Sequence, residues 1–201
     1  MKGIDKKEAH RHISTLIDGF LDYTTGRLSS ITRYNTYKAI KRQSVMEHSG
    51  AVTLIAMTLS DYLNEIGIVN DTERVIRMAI IHDADEVVSG DIPHDAKYRQ
   101  GEASERLRKA LDELTSYNIT SMVQMLPNKK MQKKYMKLFN EEKRKQTRES
   151  KIVKLADRAE AAIYCKHEAE IGNKAFQMIY DIEIGNIHKG IDELLGRSLK
   201  D

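Results

Sequence analysis

Along most of this chain, apolar residues recur every three or four positions, the spacing that gathers them on one face of an α-helix. Ile13, Leu16, Ile17, Phe20 and Leu21 mark the buried side of a first amphipathic helix over about residues 6–22. A looser stretch rich in Thr, Ser, Tyr and Arg follows, from Thr24 to Ser44. Val45, Val52, Ile55, Ala56, Leu59, Leu63 and Ile66 then predict a strong helix over 45–66, with Gly67 where a C-terminal cap belongs. Asp71 stands as the N-cap of the next helix, which carries Val75, Ile76, Ala79 and Ile80 into His82-Asp83. Further helices are predicted at 99–115, 128–139 and 148–171, the last ending at Gly172, with one or two more in 174–199. No segment alternates at period two, no repeat or linker appears, and Pro93 and Pro127 are the only prolines. The expectation is one all-α domain, a helical bundle spanning residues 1–201.

Composition narrows the class. A chain of 201 residues with 40% hydrophobic and 31% charged residues can bury a core, which excludes a disordered chain. Cys165 is the only cysteine, so no disulfide framework holds this chain. No apolar run approaches the ~20 residues needed to cross a bilayer. The start, Met1 to Glu8, lacks the apolar centre of a signal peptide, and a cytoplasmic protein with no membrane partner is expected. The net charge of +3 is too balanced to imply a nucleic-acid polymer as partner. One stretch is lopsided. Lys129, Lys130, Lys133, Lys134, Lys137, Lys143, Arg144, Lys145 and Arg148 face only Glu141 and Glu142, which reads either as a solvated helix face or as a guide for anionic substrates.

Polar residues set into apolar helices carry the chemistry. His48 lies early in the 45–66 helix, His82 and Asp83 follow the run Met78-Ala-Ile-Ile81, and Asp157 sits within Ile152-Val-Lys-Leu-Ala-Asp157-Arg-Ala-Glu-Ala-Ala. Each has an ordinary explanation: His48 as a hydrogen-bonded core histidine, Asp157 as the partner of Arg158 or another arginine. Together they are two imidazoles and two carboxylates, a donor set suited to a borderline divalent metal and to hydrolysis at the sites left open. Glu86 comes four residues after His82, the same side of a helix one turn on. Asp91 follows in Ser89-Gly-Asp-Ile-Pro93, where Gly90 and Pro93 break the helix and are placed to turn the carboxylate back. Carboxylates near a metal can orient a water or take its proton, although Glu86 also reads as a surface residue and Asp91 as a turn aspartate.

The pattern His48, His82-Asp83, Asp157 resembles that of the HD-domain metal-dependent phosphohydrolases, an all-helical superfamily. Glu47-His-Ser49, the stretch from Ile81 to Pro93, Lys97-Tyr98, Lys154-Leu-Ala-Asp-Arg-Ala159 and Arg33, fifteen residues before His48, resemble the YfbR-like 5′-deoxynucleotidases over roughly residues 28–176. The resemblance implies that His48, His82, Asp83 and Asp157 bind one divalent ion (Co, Mn, Zn, Ni or Mg), and that His48, Asp83 and Asp157 also meet the substrate. It implies that Glu86 is catalytic, that Asp91 places the attacking water and contacts substrate, and that Arg33 orients the phosphate. Ile92, Pro93 and His94 would line the nucleotide site. It further implies a small-molecule deoxynucleotide substrate, a homodimer or higher homo-oligomer, and a bacterial or phage-infected cell.

Two positions depart from the family. Tyr34 replaces its usual tryptophan, the aromatic that packs at the sugar, and His94 replaces a threonine. The scaffold is also similar to the phage dATP triphosphohydrolases of the DatZ kind, so cleavage of dATP to deoxyadenosine and triphosphate is the alternative. An inactive helical module binding nucleotides or a partner is a third reading. Only His94 lies between the His-Asp pair and Asp157, which favours one metal over two. His10, His12, His167 and His188 read as bystanders, and Cys165 as core.

Overall fold

The computed structural model of the chain describes residues 5–93, 96 and 100–196. Among them all regular structure is helical, apart from a single antiparallel bridge between Thr32 and Ser44. None of these helices is long and apolar enough to cross a membrane. Residue contacts divide the chain into two compact units, each described by itself.

The first unit takes in Met1–Thr36, Ser44–Met46 and Ala84–Lys137. Its opening helix, α1, Lys6–Thr15, is capped by Asp5, whose carboxylate accepts from the Glu8 amide at 2.8 Å. The helix does not stop near residue 22 as the pattern suggests. It rewinds as a π-helix over Leu16–Gly26 and continues as α2, Arg27–Ser30. The hydroxyls that read as loop residues are bonded back along the helix instead: Thr24 to Phe20 O at 2.7 Å and Ser29 to Thr25 O at 2.7 Å. The wider winding changes which residues share a face. Phe20 is buried against Tyr135 with ring centroids 5.8 Å apart, whereas Ile13, Ile17 and Leu21 are exposed, contrary to the expected stripe.

The unit also holds two further helices. The short helix α5, Glu86–Ser89, closes on Gly90 at φ +70°, and α6 covers Glu102–Gln124. Helix α6 outruns its expected end by nine residues because tertiary contacts override the weak helix propensity of Thr115-Ser-Tyr-Asn-Ile. Thr115 donates to the Asp85 carboxylate at 2.7 Å, and Ile119, Met122 and Val123 are buried.

The second unit takes in Tyr37–Gln43, Glu47–Asp83 and Leu138–Asp201. Helix α3, Val45–Glu65, ends in the cap its glycine predicts: Gly67 sits at φ +86° and the Ile68 amide reaches back to Leu63 O at 2.8 Å. Asp71 caps α4, Thr72–Ala79, through the Arg74 amide at 3.0 Å. The basic helix α7, Lys129–Arg144, runs five residues past its expected end. Its last turns bury Leu138 and Phe139 and pair Glu141 with Arg74. Helix α8, Arg148–Glu170, and α9, Ala175–Leu195, pack along each other. Gly190 allows that approach, since a Cβ there would stand 3.2 Å from Leu155 Cδ1.

The core of this unit is Val52, Ala56 and Leu63 of α3, Val75, Met78 and Ala79 of α4, Leu138, and Ile152, Val153 and Ala156 of α8. Phe176 is fully buried between Tyr37 and Tyr164, and Cys165 is buried as expected. The segment Tyr37–Gln43 has no helix of its own. It is held to α8 by Glu168, which accepts from the Ile40 and Lys41 amides, each at 2.7 Å, and by Tyr164, whose hydroxyl donates to Lys41 O at 2.8 Å.

Candidate metal centre

His48, His82, Asp83 and Asp157 all belong to the second unit, and the fold draws them together from three places. His48 occupies the first turn of α3, and Asp157 the middle of α8. His82 and Asp83 lie in the turn after α4. His48 Nε2 stands 3.2 Å from His82 Nε2, 3.4 Å from Asp83 Oδ2 and 3.4 Å from Asp157 Oδ1. His82 Nε2 is 3.2 Å from Asp83 Oδ2 and 4.0 Å from Asp157 Oδ1. Ligand atoms of His48, His82 and Asp83 lie within 4.8 Å of one another, as a shared cation needs.

The outer ring nitrogens decide what the inner ones offer. His82 Nδ1 meets Ala79 O at 2.8 Å, so Nδ1 carries the proton and satisfies a helix-end carbonyl. His48 Nδ1 meets Glu160 Oε2 at 2.5 Å, again as donor, because a carboxylate only accepts. Both Nε2 atoms of the neutral imidazoles therefore present lone pairs toward each other and toward two carboxylates. Four acceptors at this spacing repel unless positive charge sits among them, and the donor set of two imidazoles and two carboxylates fits one divalent ion.

Charge in the unit is arranged to keep both aspartates ionised. Burial works against the Asp83 carboxylate, but the imidazoles of His82 and His48, when they carry protons, hold it well below the usual carboxylate range. Burial likewise opposes ionisation of Asp157, and the Lys154 ammonium with the two imidazoles outweighs it. Lys154 in turn is raised by Asp157, to which it donates at 2.7 Å. Arg158 is not the partner of Asp157; it donates to Asn186 O at 3.2 Å.

The remaining expected site residues lie in the first unit. Residues 80–85 form turns, and Glu86 opens the separate helix α5, so His82 and Glu86 do not share a helix face as the spacing suggested. Arg33 and Tyr34 fall in the turn after Thr32, with the Arg33 guanidinium carbon 5.3 Å from the Tyr34 ring centre. Tyr34 adopts φ +53°, a left-handed conformation that a bulky residue rarely holds. Asp91 secures it: its Oδ2 accepts from the Tyr34 amide at 3.0 Å, and its carbonyl accepts from Asn35 Nδ2 at 2.8 Å. Ile92 and Pro93 are half-buried beside Asp91, and His94 lies outside the described residues.

Two functional candidates escaped the sequence reading. Lys154 and Glu160 stand one turn before and one turn after Asp157 on α8, so all three share its face. The signal for Glu160 was a carboxylate flanked by Ala159, Ala161 and Ala162 in an apolar helix.

Comparison with known proteins bears on this arrangement. Residues 20–193 match the family model described as 5′-deoxynucleotidase YfbR-like. The chain belongs to the YfbR-like 5′-deoxynucleotidase family. Its relatives in that family include the 5′-deoxynucleotidase of Erwinia tasmaniensis, 30% identical over 75% of this chain and 73% of the relative. The 5′-deoxynucleotidase YfbR of Escherichia coli is 29% identical over 75% and 73%. Among solved structures, an HD-domain phosphohydrolase from Listeria innocua is similar with a TM-score of 0.71 at 24% identity, covering 92% of this chain and 82% of that one. A conserved protein from Pyrococcus furiosus gives a TM-score of 0.71 at 24% identity over 89% and 94%. The fold is thus that of the HD-domain phosphohydrolases, and this YfbR-like chain is a hydrolase.

Proposed function

We propose that this chain is a metal-dependent 5′-deoxynucleotidase, converting deoxynucleoside monophosphates and water into deoxynucleosides and inorganic phosphate. The observation that carries the reading is the convergence of His48, His82, Asp83 and Asp157 through lone-pair and carboxylate atoms, in a chain of the YfbR-like family. These four residues would hold one divalent ion, with Co, Mn, Zn, Ni and Mg the candidates. Such an ion supplies Lewis-acid stabilisation of the charge that grows on the phosphoryl oxygens.

The chain's own residues do the rest. Arg33 presents the planar five-donor fork suited to a phosphate. Glu86 and Asp91 orient the attacking water, Glu86 takes its proton, and the 5′-oxygen departs from the opposite side of phosphorus and receives that proton to leave as the hydroxyl. Asp91 has a second task, since its bond to the Tyr34 amide sets the turn that presents Arg33 and Tyr34. Tyr34 packs at the sugar, and Ile92 and Pro93 line the nucleotide.

Chromatographic product analysis with dAMP, AMP and dATP as separate substrates tests this. Deoxyadenosine and phosphate from dAMP, with AMP left intact, is the expected result and shows that Tyr34 still excludes the 2′-hydroxyl. Deoxyadenosine and triphosphate from dATP, with dAMP left intact, would replace it with the triphosphohydrolase reading. No product from any substrate would overturn the substrate assignment.

A further inference from the structure

Glu160 contacts His48, and the reading above gives it no role. It is 4% exposed, and an unpartnered carboxylate buried to that degree is strongly disfavoured. Glu160 accepts hydrogen bonds from two side chains. One oxygen takes the His48 Nδ1 proton at 2.5 Å, and the other accepts from Gln43 Nε2 at 2.6 Å.

The two imidazoles of the centre differ in this respect. His82 leans on a backbone carbonyl, Ala79 O at 2.8 Å, whereas His48 leans on a side-chain carboxylate. A carboxylate behind an imidazole fixes its tautomer, fixes its ring plane and makes its far nitrogen a stronger donor. His48 is completely buried, with its ring locked between Glu160 on one side and the cluster of Nε2 and carboxylate atoms on the other.

We propose that Glu160 is a positioning residue of the metal centre, which by accepting the Nδ1 proton of His48 makes His48 Nε2 its principal nitrogen donor and sets the affinity for the ion. The proposal rests on the metal-centre reading above. Glu160 touches neither ion nor substrate; it acts through His48.

The test uses the full chain and two variants, Glu160→Gln and Glu160→Ala, with Zn²⁺ and Mn²⁺ as probes in calorimetric titration or chelator competition. Removing such an outer partner typically weakens metal binding about 10–100-fold. The expected result is a drop near the lower figure for Glu160→Gln, which keeps an accepting oxygen without the charge, and near the upper one for Glu160→Ala. Thermal unfolding of the ion-free variants separates this from loss of fold.

A second readout needs no variant. Nitrogen-15 resonances of the ion-free protein, above the range in which its histidines are protonated, should show His48 with its proton on Nδ1. A proton on Nε2 overturns the proposal. Equal affinity of wild type and both variants also overturns it, while leaving the metal centre standing. Failure of the wild-type chain to bind either ion would sink the metal-centre reading itself, a result distinguishable from the other two.

Discussion

Lys154 donates a charge-assisted hydrogen bond to Oδ2 of Asp157 at 2.7 Å, one helical turn away on α8, while Oδ1 of the same carboxylate faces His48. One carboxylate thus serves a fixed cation on one side and the imidazole pair on the other. Charge-assisted bonds of this kind are stronger than neutral ones and hold a side chain in a single orientation. The arrangement keeps Asp157 ionised despite its burial, with Lys154 the principal favourable contribution.

Replacing Lys154 by Met keeps the aliphatic stem and removes the charge. The Asp157 carboxyl is then expected to titrate at higher pH than in the wild type, because burial is no longer opposed by the ammonium. Carbon-13 carboxyl resonances of the ion-free chain, followed through an acid titration, measure the change. An unaltered Asp157 titration would show that the imidazoles alone keep it charged.

Asp83→Ala removes one ligand oxygen at a position that is one-quarter exposed, so little packing is lost. Wild-type protein should gain stability on adding a divalent ion, about 2.7 kcal/mol at a free concentration of one hundred times Kd. The variant should show no such gain at the same concentration. Differential scanning calorimetry with and without Mn²⁺ compares them, and equal shifts in both proteins would remove Asp83 from the ligand set.

Glu86→Gln preserves size at the start of α5 while removing the proton acceptor. Turnover of dAMP is expected to fall by roughly 10²–10⁴, the usual contribution of a positioned acid–base group. Metal affinity should be unchanged. Steady-state kinetics at saturating metal provide the check, and wild-type kcat in the variant would relieve Glu86 of its assigned role.

Glu168 predicts an acid-sensitive fold. Burial opposes its charge, but the Lys41 and Ile40 amides and the Asn173 side chain, at 2.7, 2.7 and 2.8 Å, lower its pKa below the ordinary glutamate value. A group with a depressed folded-state pKa contributes stability above its unfolded value, and loses it as pH falls through the folded one. Urea unfolding of the wild type should therefore show stability declining from about pH 4.5 downward. Glu168→Gln, which turns an NH2 donor toward one of the two amides, should cost about 1–3 kcal/mol at neutral pH and flatten that decline.

Much of this was legible in the residues. The 45–66 helix, its Gly67 cap, the Asp71 cap, the 148–171 helix and the four ligand candidates were all readable, because caps and apolar spacing are local properties of the chain. So was the family, since His48, His82-Asp83 and Asp157 are matched together with their neighbours. The ends of the first helix, α6 and α7 were not. There Thr, Ser and Asn prefer loops in isolation, and only bonds such as Thr115 to Asp85 reverse that preference.

The sequence by itself determined that helices would form and that imidazoles and carboxylates would lie on apolar faces. It could not determine which nitrogen of each imidazole would face inward, because that depends on partners 112 residues away for His48 and three away for His82. Nor did it show that His82 leaves the helix, that Tyr34 takes a left-handed turn held by Asp91, or that Glu160 reaches His48. The bonds of Asp91 to Tyr34 and of Glu160 to His48 belong to tertiary structure alone, since each joins groups brought within hydrogen-bonding distance by packing. Burial then makes each such contact matter, because a polar group withdrawn from water must find its partner within the protein.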